Sequence, residues 1–433
     1  MRRNLDRRSF LNYGAVTAGC IASGGIGKVW AASASPIVET TAGKIRGSFD
    51  HKIFAFKGVP YGASTTGNMR FLPPAQPQPW TGVRDTLELG LRAPQLPANL
   101  VPEFAVMDRT GPTGEACLGL NVWTQGLKDG HKRPVMVWLH GGGFANCSAN
   151  FTVYDGANLA AKHDVVLVGV NHRLNIFGFL YLAEIGGEKF ANASNAGMLD
   201  IVLALEWVRD NISNFGGDQN NVTIFGQSGG GSKVSTLLGM PQAKGLFHRA
   251  IAQSGSEVKG VSRSDATEAA EIILKKLNLD KSRVEQLQRV PVQQLLDLTE
   301  APRGAAAAAG NPALRLTPVV DGSSLPAHPF DPVATGISAN IPLMIGSTET
   351  EVAWNPNTNY DPLDDAALRN HVKQTFARGR RGSGSGGCRI SPGTSESEQS
   401  RSVSDPGERR LKLLNRYGYR GRTQSGVGQS SGL

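Results

Sequence analysis

The chain has 433 residues, 40% hydrophobic and 19% charged, which excludes a fibrous or wholly disordered polymer and allows a large buried core. Its net charge of +9 would suit a nucleic-acid surface if it were spread over the fold. Residues 1–34 carry +4 of it and residues 378–433 carry +7, which leaves about −2 between them, so no nucleic-acid partner is expected.

Residues 1–34 read as a targeting segment. Arg7-Arg8-Ser9-Phe10-Leu11 is a twin-arginine pattern, a mild apolar stretch runs from Tyr13 to Ile26, and Ala32-Ser33-Ala34 supplies small residues for cleavage. The stretch is broken by glycines and falls short of the roughly 20 apolar residues of a membrane span. A lipid anchor at Cys20 is the lesser alternative. The expectation is export by a twin-arginine route to a bacterial periplasm or beyond. Of the remaining cysteines, Cys388 lies in the C-terminal tail, and Cys117 and Cys147 alone make no disulfide framework. No Cys/His cluster has metal-ligand spacing and no phosphate loop is present, so neither metal nor organic cofactor is expected.

Between residues 36 and 330 strands and helices are expected to alternate. Residues 134–140 and 165–170 are continuous apolar runs suited to strands buried on both faces. Residues 199–211 carry apolar positions at helical spacing. Residues 222–225 form a strand that runs into Gly226-Gln227-Ser228-Gly229-Gly230, with helix predicted over 233–240. Residues 250–253 make another strand, 264–300 an amphipathic helical region, and 303–311 a linker. Residues 341–345 form a last strand, leading into Gly346-Ser347-Thr348-Glu349-Thr350-Glu351.

Gly-x-Ser-x-Gly after a strand and before a helix is a nucleophile elbow, in which glycines allow a turn sharp enough to expose the serine hydroxyl. Ser228 is therefore the candidate nucleophile. A serine hydroxyl needs a base, a group that orients the base and donors for an oxyanion. His140-Gly141-Gly142-Gly143-Phe144, following an apolar strand, supplies donors: the N–H groups of Gly142 and Gly143, with that of Gly229, would form the hole. The bland readings are glycine-rich turns at both places.

Further motifs occur in order: Phe56-Lys57-Gly58-Val59-Pro60-Tyr61-Gly62, Arg70-Phe71, residues 115–122 (EACLGLNV), Asn171-His172-Arg173-Leu174, Asn195-Ala196-Gly197, residues 214–218 (NFGGD), Gln253-Ser254-Gly255 and residues 318–322 (PVVDG). With the elbow and the glycine loop, this set resembles the type-B carboxylesterase family, which includes para-nitrobenzyl esterases and cholinesterases, over residues 36–377. The resemblance implies an α/β-hydrolase fold with a mostly parallel central sheet and a small-molecule ester substrate. It also implies an acidic triad member five residues after a glycine. Glu351 fits and Glu349 is its rival. Gln227 and Gly229 stand where the family often has glutamate and alanine, and Cys117 has no partner in range for the family's disulfide, so a buried free thiol is expected.

The resemblance also implies a histidine after the acid. Only His371 follows Glu351, and its surroundings (LRNHVKQTF) read as a charged helix rather than the family's histidine loop. None of the eight histidines is assigned as base. After residue 377 the chain turns rich in Gly, Ser and Arg with hardly any apolar periodicity, as expected of a disordered tail. Three segments are thus expected: 1–34 signal, 35–377 hydrolase domain incomplete at its C-terminal end, and 378–433 tail, read as a shifted frame rather than a native extension. The functional expectation is a serine carboxylesterase by descent, impaired for want of a base. The alternative is a non-catalytic binding or adhesion-type member of the same fold.

Overall fold

A computed structural model describes residues 35–97, 111–299, 314–348 and 351. The expected signal segment with Cys20, the linker at 303–311, Glu349, His371 and the tail with Cys388 lie outside the described residues. The chain divides into two units, Met1–Ser35 and Pro36–Leu433. All the described residues except Ser35 belong to the second unit.

The first part of this unit departs from the expected alternation. β1 (Ile37–Thr40), β2 (Gly43–Arg46), β3 (Ser48–Asp50), β4 (Ile53–Pro60), β5 (Val83–Asp85) and β6 (Gly119–Thr124) succeed one another with no α-helix between them among the described residues. Short turns join β1 to β2 and β3 to β4, leaving no room for a crossover helix, and these pairs are antiparallel; β4 pairs antiparallel with β6 across a long connection, and β2 pairs parallel with β5. True alternation begins at β7 (Arg133–Leu139). Then come α1 (Ala157–His163), β8 (Val166–Val170), α2 (Asn175–Phe179), α3 (Ala196–Asn211), β9 (Gly217–Gln227), α4 (Gly229–Leu238), β10 (Arg249–Gln253), α5 (Arg263–Lys276), α6 (Val292–Asp297) and β11 (Leu343–Gly346).

Eight strands form the central sheet in the order β11-β10-β9-β7-β8-β6-β4-β3, and a small sheet holds β1, β2 and β5. The five strands from β11 to β8 run parallel, and β6, β4 and β3 extend the sheet antiparallel. The sheet is parallel where the helices are. β8 is buried at every position, as its unbroken apolar run requires. In β7 and β9, Val135, Val137, Leu139, Val222 and Ile224 turn one face into the main core with α3 and α4. Trp138 and Phe225 meet on the other face, their ring centroids 4.9 Å apart. α1 covers that face through Ala160, in a second cluster with Ile53, Trp123 and Leu167.

Several boundaries differ from the sequence reading. α4 begins at Gly229, directly after the elbow serine, and ends at Leu238 instead of spanning 233–240. Ser228 is already the N-cap, so the helix starts as soon as the turn is complete. The 264–300 region breaks into α5, a 3-10 segment at Lys281–Arg289 and α6. Asn278 at φ 53° cannot continue a right-handed helix, and Pro291 ends the 3-10 segment and caps α6.

Several of the motif residues that carried the family resemblance form pairs across the fold. Arg70 meets Glu115 through two bonds, Nε–Oε1 2.6 Å and Nη2–Oε2 2.7 Å. Asn195 donates to the Val319 carbonyl and receives its N–H, both at 2.8 Å. Arg173 pairs with Asp200 on α3. These residues are framework, and they tie distant loops to the sheet.

Candidate active site

β8 and β9 come after β7 in the chain but lie on opposite sides of it. An α/β sheet opens a crevice at such a reversal, beyond the C-terminal strand ends. β7 ends at Leu139 and leads into the glycine loop, while its parallel neighbour β9 ends at Gln227 and leads into Ser228. Both candidate segments therefore emerge at the same edge.

Ser228 has φ 56° and ψ −124°, and it is half-buried between β9 and α4. Its N–H donates to the Gln253 carbonyl at 2.8 Å, and its carbonyl accepts from Ser232 at 3.1 Å. Its hydroxyl has no hydrogen-bond partner among the described residues. Close backbone packing explains the glycines around it. A Cβ on Gly226 would lie 2.5 Å from the Gly230 carbonyl carbon and 2.6 Å from the Leu139 oxygen. Gly229 packs directly on the Gly143 backbone, and a Cβ on Gly141 would lie 3.6 Å from that of Ser228. The elbow and the glycine loop thus meet backbone to backbone.

Gly142 and Gly143 have φ of 79° and 61°, conformations that suit glycine. Their loop is fixed by the Gly142 carbonyl, which accepts from Ala145 and Asn146, each at 3.2 Å. The N–H groups of Gly142, Gly143 and Gly229 have no acceptor among the described residues. Gly229 also opens α4, where the helix dipole favours negative charge.

Glu351 lies beyond β11, whose partner β10 leads into Ser254. Its Oε1 accepts the Thr348 N–H at 2.7 Å. Partial burial pushes the carboxyl up, but hydrogen bonds from the Ser254 hydroxyl and from Thr348 outweigh it and hold the group below its ordinary value. Ser254 is itself anchored, its N–H bonded to Gly346 at 2.7 Å. In the sequence Ser254 stands only as part of a motif; its influence on the Glu351 carboxyl depends on β10 and β11 lying side by side.

His140 and His172 lie buried beside the loop, with ring centroids 4.9 Å apart and planes at 17°. Each Nδ1 bonds the carbonyl of the next residue, at 2.9 and 2.8 Å. Burial, with help from the nearby Lys233, pushes both well below the usual imidazole range. Neither bonds Ser228 or Glu351. Cys117 is free and buried, its thiol pushed up to about 12 mainly by burial.

Lys233, read from the sequence as part of a helix, is fully buried on α4. Its Nζ donates to the carbonyls of His140 at 2.9 Å and Gly143 at 2.8 Å, with the Phe144 ring centroid 5.3 Å away. Nothing in sequence spacing marks this, because a helix lysine is ordinarily solvated.

Comparison with known proteins places the chain. The profile of the carboxylesterase family matches residues 34–381. The chain belongs to the carboxylesterase family. It is 36% identical over 336 residues to the para-nitrobenzyl esterase of Bacillus subtilis (strain 168), covering 77% of this chain and 67% of that protein. It is 36% identical over 341 residues to the phenmedipham hydrolase of Pseudarthrobacter oxydans, covering 78% and 66%. The chain thus spans about two thirds of the length of these family relatives. Among solved structures, a PNB esterase superposes with a TM-score of 0.66 at 34% identity, over 79% of this chain and 70% of that one. An esterase of the family from Clostridium hathewayi, described as hydrolysing aliphatic aromatic polyesters, gives 0.70 at 36% identity, over 89% and 76%. The expected α/β-hydrolase architecture with a mostly parallel central sheet is the fold of these neighbours.

Proposed function

We propose that this protein is a serine carboxylesterase that acts on small-molecule carboxylic esters through an acyl-enzyme on Ser228. The observation that carries the reading is Ser228 itself, held at φ 56° with a hydroxyl that has no partner among the described residues, beside the loop whose Gly142 and Gly143 N–H groups likewise have no acceptor among them. In acylation, Ser228 Oγ bonds to the ester carbonyl carbon while the carbonyl π pair moves onto oxygen. The N–H groups of Gly142, Gly143 and Gly229 receive that developing charge. The serine proton passes to an imidazole base and on to the leaving alkoxide as the C–O bond breaks. Water then repeats the sequence, adding across the acyl carbonyl to release the acid and restore the hydroxyl. Glu351, kept anionic by Ser254 and Thr348, would hold the imidazole tautomer and stabilise its charged form.

No histidine among the described residues bonds Ser228 or Glu351, and His371 is not assigned the role. The 433-residue chain is therefore proposed to turn over poorly, retaining a residual of roughly 10³–10⁴ over water from the oxyanion hole and binding. The export of residues 1–34 and the boundaries at 34 and 377 remain part of the proposal, supported by sequence pattern.

Incubation with an activated aryl ester or an organophosphate-type probe, with mass spectrometry as the readout, tests the reading. Stoichiometric modification of Ser228 that is absent from Ser228→Ala is the expected result. A folded protein that no such probe modifies overturns it in favour of a non-catalytic binding member of the fold.

A further inference from the structure

Lys233 is a buried cation without a carboxylate partner among the described residues. The groups that face it are the His140 and His172 rings from the ends of β7 and β8, the Cys147 thiol and the Phe144 ring from the glycine loop. Arg173 and its partner Asp200 lie behind His172. The imidazoles are held neutral by burial. Among the described residues two carbonyl oxygens, one aromatic face and the Cys147 thiol stabilise the ammonium, and burial brings it down to about 7. A methionine would fill the same space without that cost.

The two carbonyls show what the cation does. The peptide after His140 and the peptide after Gly143 flank the two peptides whose N–H groups belong to Gly142 and Gly143. Lys233 grips the loop on both sides of the candidate donors, from one turn after Gly229, which packs on the same loop. Long side chains on a helix lean back toward its N-terminus, so this position reaches the loop without strain. Glycine-rich backbone otherwise has wide conformational freedom.

We propose that Lys233 is a positioning residue that clamps the oxyanion loop, fixing Gly142 and Gly143 through hydrogen bonds from Nζ to the carbonyls of His140 and Gly143. The clamp rests on the esterase reading for its purpose, though not for its existence. It supplies positive charge to the loop as well as shape, and it belongs to this chain's own Gly229-Gly230-Gly231-Ser232-Lys233 run rather than to Ser228 chemistry in general.

Two measurements on the full chain test it, with Lys233→Met as the isosteric apolar variant. Lys233→Gln, which keeps N–H donors without the charge, serves as a second variant should the first not fold. Hydrogen exchange of peptides covering residues 139–147 reads the clamp, since the Ala145 and Asn146 amides report the loop through the Gly142 carbonyl. Single-turnover acylation by p-nitrophenyl acetate reads its purpose. In Lys233→Met, exchange at these amides is expected to rise tenfold or more with the rest of the protein unchanged. The saturating acylation rate should fall at least tenfold while the half-saturating concentration stays the same, and Lys233→Gln should lie between. Unchanged exchange in a folded variant overturns the clamp. Raised exchange with an unchanged acylation rate overturns the positioning role. If the wild-type chain is not acylated at Ser228, the esterase reading fails, and exchange alone still decides whether Lys233 holds the loop.

Discussion

At Ser228 the backbone takes φ 56° and ψ −124°, a conformation that side chains with a Cβ rarely hold. The bond from its N–H to Gln253 and the packing of Gly255 against its carbonyl keep it there. Such strain costs of order 1–3 kcal/mol, and glycine would remove it at an entropic cost of about 0.5–1 kcal/mol. Ser228→Gly should therefore be more stable than Ser228→Ala by about 1 kcal/mol in denaturant unfolding, although both lose the nucleophile. Equal midpoints would mean that the turn is not strained. The elbow was legible in the sequence because this geometry selects glycines at 226 and 230, where a Cβ would strike backbone. The choice between Glu351 and Glu349 was not legible. Glu349 lies outside the described residues, and the Ser254 hydroxyl that helps hold the Glu351 carboxyl low stands almost a hundred positions earlier in the chain.

At the scale of elements, the crevice depends on how the loop after β8 is fixed to α3. Arg173 and Asp200 are 2% and 0% exposed, and they meet through Nη2–Oδ1 at 2.6 Å and Nε–Oδ2 at 2.9 Å. The Arg173 N–H also donates to Oδ2 at 2.9 Å, and its Nη1 donates to the Leu72 carbonyl at 2.7 Å. Arg173→Met would strand a buried carboxylate, and unfolding free energy should drop by about 3–5 kcal/mol in urea or guanidinium titration. A loss below about 1 kcal/mol would mean that the aspartate can be rehydrated. Strands β7, β8 and β10 were readable within a residue of their ends, because apolar runs bounded by turns leave little choice. The 264–300 region was not. Apolar spacing persists across the region, while the breaks fall at Asn278, whose left-handed conformation spacing does not reveal, and at Pro291.

For the molecule as a whole, the buried Lys233 couples folding to pH. In the unfolded chain its ammonium titrates near its ordinary value of 10.5, whereas in the folded protein it is brought down to about 7. Between these values the unfolded state binds more protons, so this group makes stability rise with pH. Below about pH 7 both states are protonated and the full cost is present; above the ordinary value both are neutral and the cost is gone. Relative to Lys233→Met, the wild-type protein should gain stability from pH 7 toward pH 10 by at most about 1.4 kcal/mol per pH unit. Parallel stability curves for the two proteins across that range would show that the site is wetter than the structure has it. The depressed imidazoles of His140 and His172 act in the same direction, but at more acid pH. The fold class was readable from motif order. The clamp was not, since sequence records a lysine on a helix and only packing shows which way it points.

The crevice draws on four strand ends: β7 leading to Gly142, β9 to Ser228, β10 to Ser254 and β11 to Glu351. These strands pair parallel across long stretches of chain, Val135 with Val222 and Ala250 with Leu343. Such non-local pairings come late in folding, because loop closure must precede the contacts that offset it. No short fragment can assemble the crevice on its own. A reactive serine would therefore be the last thing the folding chain acquires, and the time course of Ser228 labelling during refolding would measure the closing of the sheet.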